Sequence, residues 1–317
     1  MSRRARIAMA MADGLDAAAF GDEHRARLAQ LGDLVDDDPE ILLGHWGCPK
    51  LDATFLGGMP NLRLFAYAAG TVKEIVTPDV WTRGIVVTSA AAANAVPVAE
   101  FTLAAILFAN KGVFAARERV RDPAVRIRRP RPVGNVAKRV GLVGASLVGR
   151  RVIELLRPFD LEVVVSDPYL DVAEATRLGV TKVELDELVA TSHVVSVHAP
   201  DLPTTRHLIG AAELAAMGDG TTIVNTARGV IVDTDALVDA LRDGRISAVL
   251  DVTDPEPLPA DHPLRSLPNA FVTPHVAGAL GSELGRLADL AITEIERFVA
   301  GEPPLHPVHD ADLARLA

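Results

Sequence analysis

Residues 138–169 read KRVGLVGASLVGRRVIELLRPFDLEVVVSDPY. The stretch opens on an apolar strand-like run, VGLVG, and turns tightly through GASLVG. It continues as a helix through RRVIELLRPF and closes on a second strand, EVVVS, with Asp167 at its end. Strand, glycine turn, helix and strand in this order form a βαβ unit, in which backbone amides at a helix N-terminus receive the pyrophosphate of a dinucleotide. Gly144 serves the tight turn and Gly149 allows close packing of helix on strand. The middle glycine of the G-x-G-x-x-G pattern is Ser146 here. Its Cβ crowds the closest approach to phosphate, and its hydroxyl is expected either near a phosphate oxygen or turned away from it. Asp167 lies 18 residues after Gly149, where a carboxylate accepts hydrogen bonds from the adenosine ribose hydroxyls and repels a 2′-phosphate. NAD is therefore expected over NADP.

On the N-terminal side, from Arg6 to Val87, short apolar runs (RIAMAM, ILLGHW, LRLFAYAA, IVVTSA) alternate with helical patterns. That rhythm predicts βαβ units and a parallel sheet. Residues 117–132 then hold seven arginines and three prolines and read as a surface connection, with the sharper alternative that they border a dimer interface. After 138 the βα rhythm restarts and runs through VVSVHAP, TTIVNTA, SAVLDV and AFVTPH. From Ser282 to Val299 apolar residues recur at mostly three- and four-residue spacing, which predicts an amphipathic helix.

The chain has 317 residues, 49% of them hydrophobic, and a mean hydropathy of +0.22, so a folded core is assured and two domains are the prior. Lys and Arg number 32 against 42 Asp and Glu, a formal charge of -10, which argues against a protein held to nucleic acid by phosphate attraction. The longest apolar run, Ala90 to Asn110, contains Asn94, Pro97 and Glu100 and reads as a buried helix and not a membrane span. Arg3, Arg4 and Arg6 precede an apolar stretch that Asp13 and Asp16 break, so no secretory signal is seen. The single cysteine, Cys48, excludes an intramolecular disulfide framework and a Cys-cluster zinc site. The cytoplasm is the expected compartment. No His or carboxylate cluster at ligand spacing occurs, and no metal is expected.

Three further segments follow strand-like runs: VNTARGVIVD carries Arg228, LDVTDPEPLP carries Asp251 and Glu256, and NAFVTPHVAG carries His275. In an open α/β sheet ligands bind beyond the carboxyl ends of the strands, so these side chains are able to converge. Together with VGLVGASLVG, VAEFTLAAILFANKG and HAPDLPTTRHLIG, they give the chain its resemblance to the D-isomer-specific 2-hydroxyacid dehydrogenases over nearly its whole length. The resemblance implies two doubly wound parallel-sheet domains. One is a central Rossmann NAD-binding domain, placed at 108–283, and the other is a flavodoxin-like substrate domain built from both chain ends, 1–107 and 284–317. It also implies a homodimer formed through the NAD domains.

Carried over from that resemblance, Arg228 would bind the substrate carboxylate and polarise the 2-oxo group, as a guanidinium fork suits. His275 would protonate the carbonyl oxygen as hydride arrives, and Glu256 would orient His275 and favour its imidazolium form. Gly144, Ser146, Leu147, Val148, Asp167, Thr226, Ala227, Asp251 and Gly278 would contact NAD, with Leu147 and Val148 giving backbone phosphate contacts, Thr226 and Ala227 a loop over the cofactor, and Asp251 a carboxylate facing the nicotinamide amide. Ala69, Gly70 and Thr71 occupy the turn that presents amides to the substrate, with Val72 where the family usually has an aspartate, and Asn94 lines the site. The alternatives are a dinucleotide-sensing corepressor-like module and a formate- or phosphite-type dehydrogenase. The formate group resembles a Gln-His pair where this chain has Glu256 and His275, and the phosphite group has a lysine at the position of Ala69.

Overall fold

The computed structural model describes residues 4–124 and 133–314. By its internal contacts the chain divides into a terminal unit, 1–95 with 279–316, and a central unit, 96–278.

In the terminal unit five parallel strands, β1 (Ala5–Ala10), β2 (Gly32–Leu34), β3 (Ile41–Gly44), β4 (Leu64–Tyr67) and β5 (Val86–Ser89), lie in the order β5-β4-β3-β1-β2. This is the flavodoxin-like doubly wound order. A short last strand, Pro307–Val308, joins antiparallel to β5. Every residue of β3 and β4 is buried, as the apolar runs ILLG and LFAY require of strands covered on both faces. Helix Leu284–Val299 turns Leu287, Ala288, Ala291, Ile292 and Ile295 into the same core. Its buried Glu294 accepts from the backbone N–H groups of Leu305 (3.0 Å) and His306 (2.7 Å), anchoring the segment that leads to the last strand.

In the central unit seven parallel strands follow: β6 (Lys138–Val143), β7 (Leu161–Ser166), β8 (Thr181–Lys182), β9 (Val194–Val197), β10 (Thr222–Asn225), β11 (Ser247–Leu250) and β12 (Ala270–Val272). Their order, β12-β11-β10-β9-β6-β7-β8, is that of a Rossmann sheet extended by one strand. Strand order reverses between β6 and β9, which sets the ligand crevice at their carboxyl ends.

Three expectations need correction. The first boundary falls near Ala95 and not near Leu107, inside the helix Ala91–Lys111. Ala99, Ala105 and Ile106 of that helix pack with Val140, Leu142 and Val152 of the central core, so this part of the helix belongs there. The second boundary lies near Gly278, because Ala279 and Leu284 join the terminal core. Part of the arginine-rich stretch is also not loop: Gly112, at a left-handed φ of 66°, starts a new helix, Val113–Arg121, which carries Arg117, Arg119 and Arg121. Phe114 anchors it by packing on Phe271 with ring centroids 4.7 Å apart. Arg126, Arg128, Arg129 and Arg131 lie outside the described residues.

Candidate active site

The phosphate turn joins β6 to helix Leu147–Leu156. Gly144 has a left-handed φ of 103°, and a Cβ on it would stand 2.8 Å from the Ala199 nitrogen. A Cβ on Gly149 would stand 2.3 Å from the Gly144 carbonyl oxygen. Both glycines are thus required by space, and backbone forms the wall of the cradle. Ser146 caps the helix: its backbone is extended, and its Oγ accepts from the Gly149 N–H at 3.4 Å. The hydroxyl therefore satisfies one of the free amides of the first turn, and those of Leu147 and Val148 donate to no group among the described residues. Asp167, at the end of β7, accepts from the Ala145 N–H at 2.7 Å through one oxygen and from Tyr169 (2.7 Å) and Leu170 (3.2 Å) through the other. Its carboxylate therefore fastens the turn to the strand end, a task with no signal in the sequence beyond its position. A glycine-walled turn, two free amides at a helix N-terminus and a carboxylate 18 residues on fit the pyrophosphate and adenosine ribose of a dinucleotide.

The acid-base residues stand on loops after three neighbouring strands, β10, β11 and β12. After β10, the buried Asn225 accepts from the Ala227 N–H at 3.0 Å and donates to the Arg228 carbonyl at 2.8 Å. Thr226 shares a buried hydroxyl contact of 2.9 Å with Thr102. Arg228 donates to the Ala227 carbonyl at 2.6 Å. Burial pushes its guanidinium below the ordinary range, while the charges of Asp201 and Glu256 act in the opposite direction. Gly229 lets this loop pass the one after β11, since a Cβ there would meet the Thr253 carbonyl carbon at 2.1 Å.

His275 holds a left-handed φ of 55°, unusual for a residue with a Cβ. Asp251 explains why it stays there. Its backbone carbonyl accepts from the His275 N–H at 2.9 Å. Its buried carboxylate accepts from the Thr273 hydroxyl (2.6 Å) and the amides of Val276 and Ala277 (each 2.8 Å). Asp251, the carboxylate expected to face a nicotinamide amide, clamps the histidine loop on both sides through its oxygens, and Gly278 follows directly on that clamped segment. Within the loop, His275 Nδ1 lies 2.6 Å from Glu256 Oε1, and the imidazole is 49% exposed. The carboxylate fixes the ring with Nδ1–H toward Glu256, which leaves Nε2 as the atom able to exchange a proton with a ligand. A cavity of about 930 Å³ borders this pair and includes Arg117, Arg121, Arg265 and Phe271.

In the terminal unit the expected substrate turn follows β4. Val72 is 1% exposed and sits in the core, so the position that the family usually gives to aspartate is here an apolar anchor. Asn94 accepts from the Ala279 N–H at 3.0 Å, and its Nδ2 would stand 3.5 Å from a Cβ on Gly70. Asn225, the Asp251 clamp and Thr102 escaped the reading of the sequence. Asn225 and Asp251 sit at strand ends, the one available signal, whereas Thr102 lies within an apolar helix.

Residues 103–277 match the family model for the NAD binding domain of D-isomer specific 2-hydroxyacid dehydrogenases. The chain is 31% identical over 261 residues to a D-3-phosphoglycerate dehydrogenase of Archaeoglobus fulgidus, covering 82% of this chain and 50% of that one. It is 35% identical over 263 residues to a glyoxylate reductase of Aeropyrum pernix, covering 80% and 78%. It therefore spans about half the length of the former and about three quarters of the latter. Among solved structures, a phosphoglycerate oxidoreductase from Rhizobium etli superposes with a TM-score of 0.81 at 26% identity, covering 98% of this chain and 99% of that one. With an NAD cradle on β6 and β7 and an Arg, Glu and His set on β10 to β12, the chain belongs to the D-isomer specific 2-hydroxyacid dehydrogenases and takes NAD as its cofactor.

Proposed function

We propose that this protein interconverts a 2-oxoacid and the corresponding D-2-hydroxyacid, with His275 as the acid-base residue. The observation that carries this reading is the 2.6 Å contact between His275 Nδ1 and Glu256 Oε1, on a loop that Asp251 holds from both sides. Leu147 and Val148 would hold the pyrophosphate of NAD through their amides, and Asp167 would hold the adenosine ribose. Held there, NADH would supply the hydride for reduction of the oxoacid at C2. His275 gives its Nε2 proton to the carbonyl oxygen, which becomes the hydroxyl, and the imidazole is left neutral with Nδ1–H still directed at Glu256. Arg228, short of water and held by its own loop, polarises that oxygen and pairs with the carboxylate. In the reverse direction the neutral imidazole removes the hydroxyl proton.

NADH oxidation followed by absorbance with a panel of 2-oxoacids tests the proposal. Turnover with at least one acid and formation of the D product are expected; NADH that binds and is oxidised with none of them ends the reading. The same reading has the chain work as a homodimer through its NAD-binding units. Phe108 (50% exposed) and Val120 (85% exposed), on consecutive helices, supply apolar surface that suits a second copy, and sedimentation velocity would detect it.

A further inference from the structure

The turn after β4 is held from below by one residue. Ser89 ends β5, level with Tyr67 on β4, and is buried. Its backbone is fixed by the Ser89 N–H donating to the His306 carbonyl at 3.3 Å and by the Ala90 N–H donating to the Tyr67 carbonyl at 2.9 Å. Its hydroxyl accepts from the Ala91 N–H at 3.1 Å and donates toward two successive carbonyls, that of Gly70 in a short contact and that of Ala69 at 3.2 Å. Downstream the turn is pinned by buried Val72, whose carbonyl accepts from the N–H groups of Ile75 (2.9 Å) and Val76 (3.0 Å).

In a trans peptide the carbonyl of one residue and the N–H of the next point in opposite directions. With the Ala69 and Gly70 carbonyls drawn onto Ser89, the Gly70 and Thr71 amides must face away from it. Neither donates to any group among the described residues. Two adjacent free amides on a braced turn form a donor pair suited to a carboxylate. Gly70 does not have a positive φ, so glycine leaves the approach to these amides open and is not there to satisfy a strained backbone.

We propose that Ser89 is a positioning residue, whose hydroxyl holds the Gly70 and Thr71 amides outward as a paired donor for the carboxylate of the 2-oxoacid. This rests on the dehydrogenase reading above. It differs from an ordinary strand-end serine in predicting a loss confined to acid binding.

The test compares Ser89→Ala and Ser89→Thr in the full chain at saturating NADH. The readouts are KM for the best 2-oxoacid, Ki for oxamate, an unreactive mimic of a 2-oxoacid, and Kd for NADH. Ser89→Ala is expected to raise KM and the oxamate Ki about tenfold, the effect of one lost hydrogen bond, with kcat within about threefold and NADH affinity unchanged. Ser89→Thr, which keeps the hydroxyl, restores both. A folded Ser89→Ala with unmoved KM and Ki, or a Ser89→Thr as impaired as Ser89→Ala, overturns the proposal. Should Ser89→Ala not fold, hydrogen exchange of the wild type decides. The Gly70 and Thr71 amides are expected to exchange quickly in the free protein and to be protected by oxamate, and amides already protected without it overturn the proposal. A wild type that oxidises NADH with no 2-oxoacid removes the dehydrogenase reading and this proposal together; wild-type turnover with unmoved Ser89→Ala values removes this proposal alone.

Discussion

Glu256 touches His275 through one hydrogen bond, and that bond decides which ring nitrogen is turned to the carboxylate and which is left for a ligand. Glu256→Gln keeps the shape of the contact but removes a negative charge 2.6 Å from Nδ1; kcat is expected to fall, with NADH affinity unchanged. His275→Ala costs about 10²- to 10⁴-fold in kcat, the range for a lost general acid. Arg228→Lys damages KM and kcat together, because an ammonium does not reproduce the planar fork. Steady-state kinetics of the three variants check these outcomes, and a Glu256→Gln enzyme with wild-type kcat contradicts the assigned role.

At the scale of elements, helix Leu147–Leu156 shows how a departure from a motif is accommodated. Ser146 costs the turn a glycine but contributes an N-cap. Ser146→Ala is expected to destabilise the protein by about 0.5–2 kcal/mol and Ser146→Gly by only a few tenths. NADH affinity should stay within a few-fold in both, since the Leu147 and Val148 amides are not those the serine occupies. Denaturant melts and fluorescence titration measure both quantities, and a Ser146→Gly variant that binds far more tightly would show that the serine obstructs the phosphates. The sequence made the βαβ unit legible because glycine spacing and strand-helix rhythm are local properties. It did not reveal which way the Ser146 hydroxyl turns, since a cap and a phosphate contact need the same residue at the same place. The unit boundary inside Ala91–Lys111 was hidden for a related reason: a helix apolar on most sides carries no periodic mark of which core each turn enters. The roles of Asp251 and Ser89 depend on carbonyls and amides brought together from distant segments, and backbone groups leave no trace in residue type.

For the whole molecule, each unit buries one histidine that folding keeps neutral. In the terminal unit His45 Nδ1 accepts from the Trp46 N–H at 2.8 Å, and burial pushes its pKa from 6.5 down to about 4. In the central unit His198 Nε2 meets the Ser196 hydroxyl at 2.9 Å, and burial pushes its pKa down to about 3. The unfolded chain binds these protons near 6.5 and the folded one does not. Their contribution is therefore complete above about pH 6.5 and is lost as pH falls toward the folded values, on the order of 2 kcal/mol for each by pH 5. His45→Gln and His198→Asn are each expected to lower Tm at pH 7.5 but to lose less of it between pH 7.5 and pH 5 than the wild type. Thermal melts at the two pH values measure this, and parallel losses in all three proteins would assign acid sensitivity to other groups.

The division of the chain also has a consequence in time. The central unit is one unbroken run, 96–278, whereas the terminal unit needs 1–95 and 279–316 together. During synthesis at about 5–20 residues per second, the first ninety-five residues wait roughly ten to forty seconds for their partners to emerge. Until helix Leu284–Val299 and the Pro307–Val308 strand arrive, β5 has an open edge and the residues that this helix covers stay wet. An arrested nascent chain with its exposed end near residue 280 is accordingly expected to resist protease across 133–278 while its N-terminal segment is digested. Equal protection of both segments would mean that the N-terminal sheet stands without its last helix. The nucleotide site would thus be complete on the ribosome before the turn braced by Ser89, whose backbone N–H bonds to the His306 carbonyl, is held by that later segment.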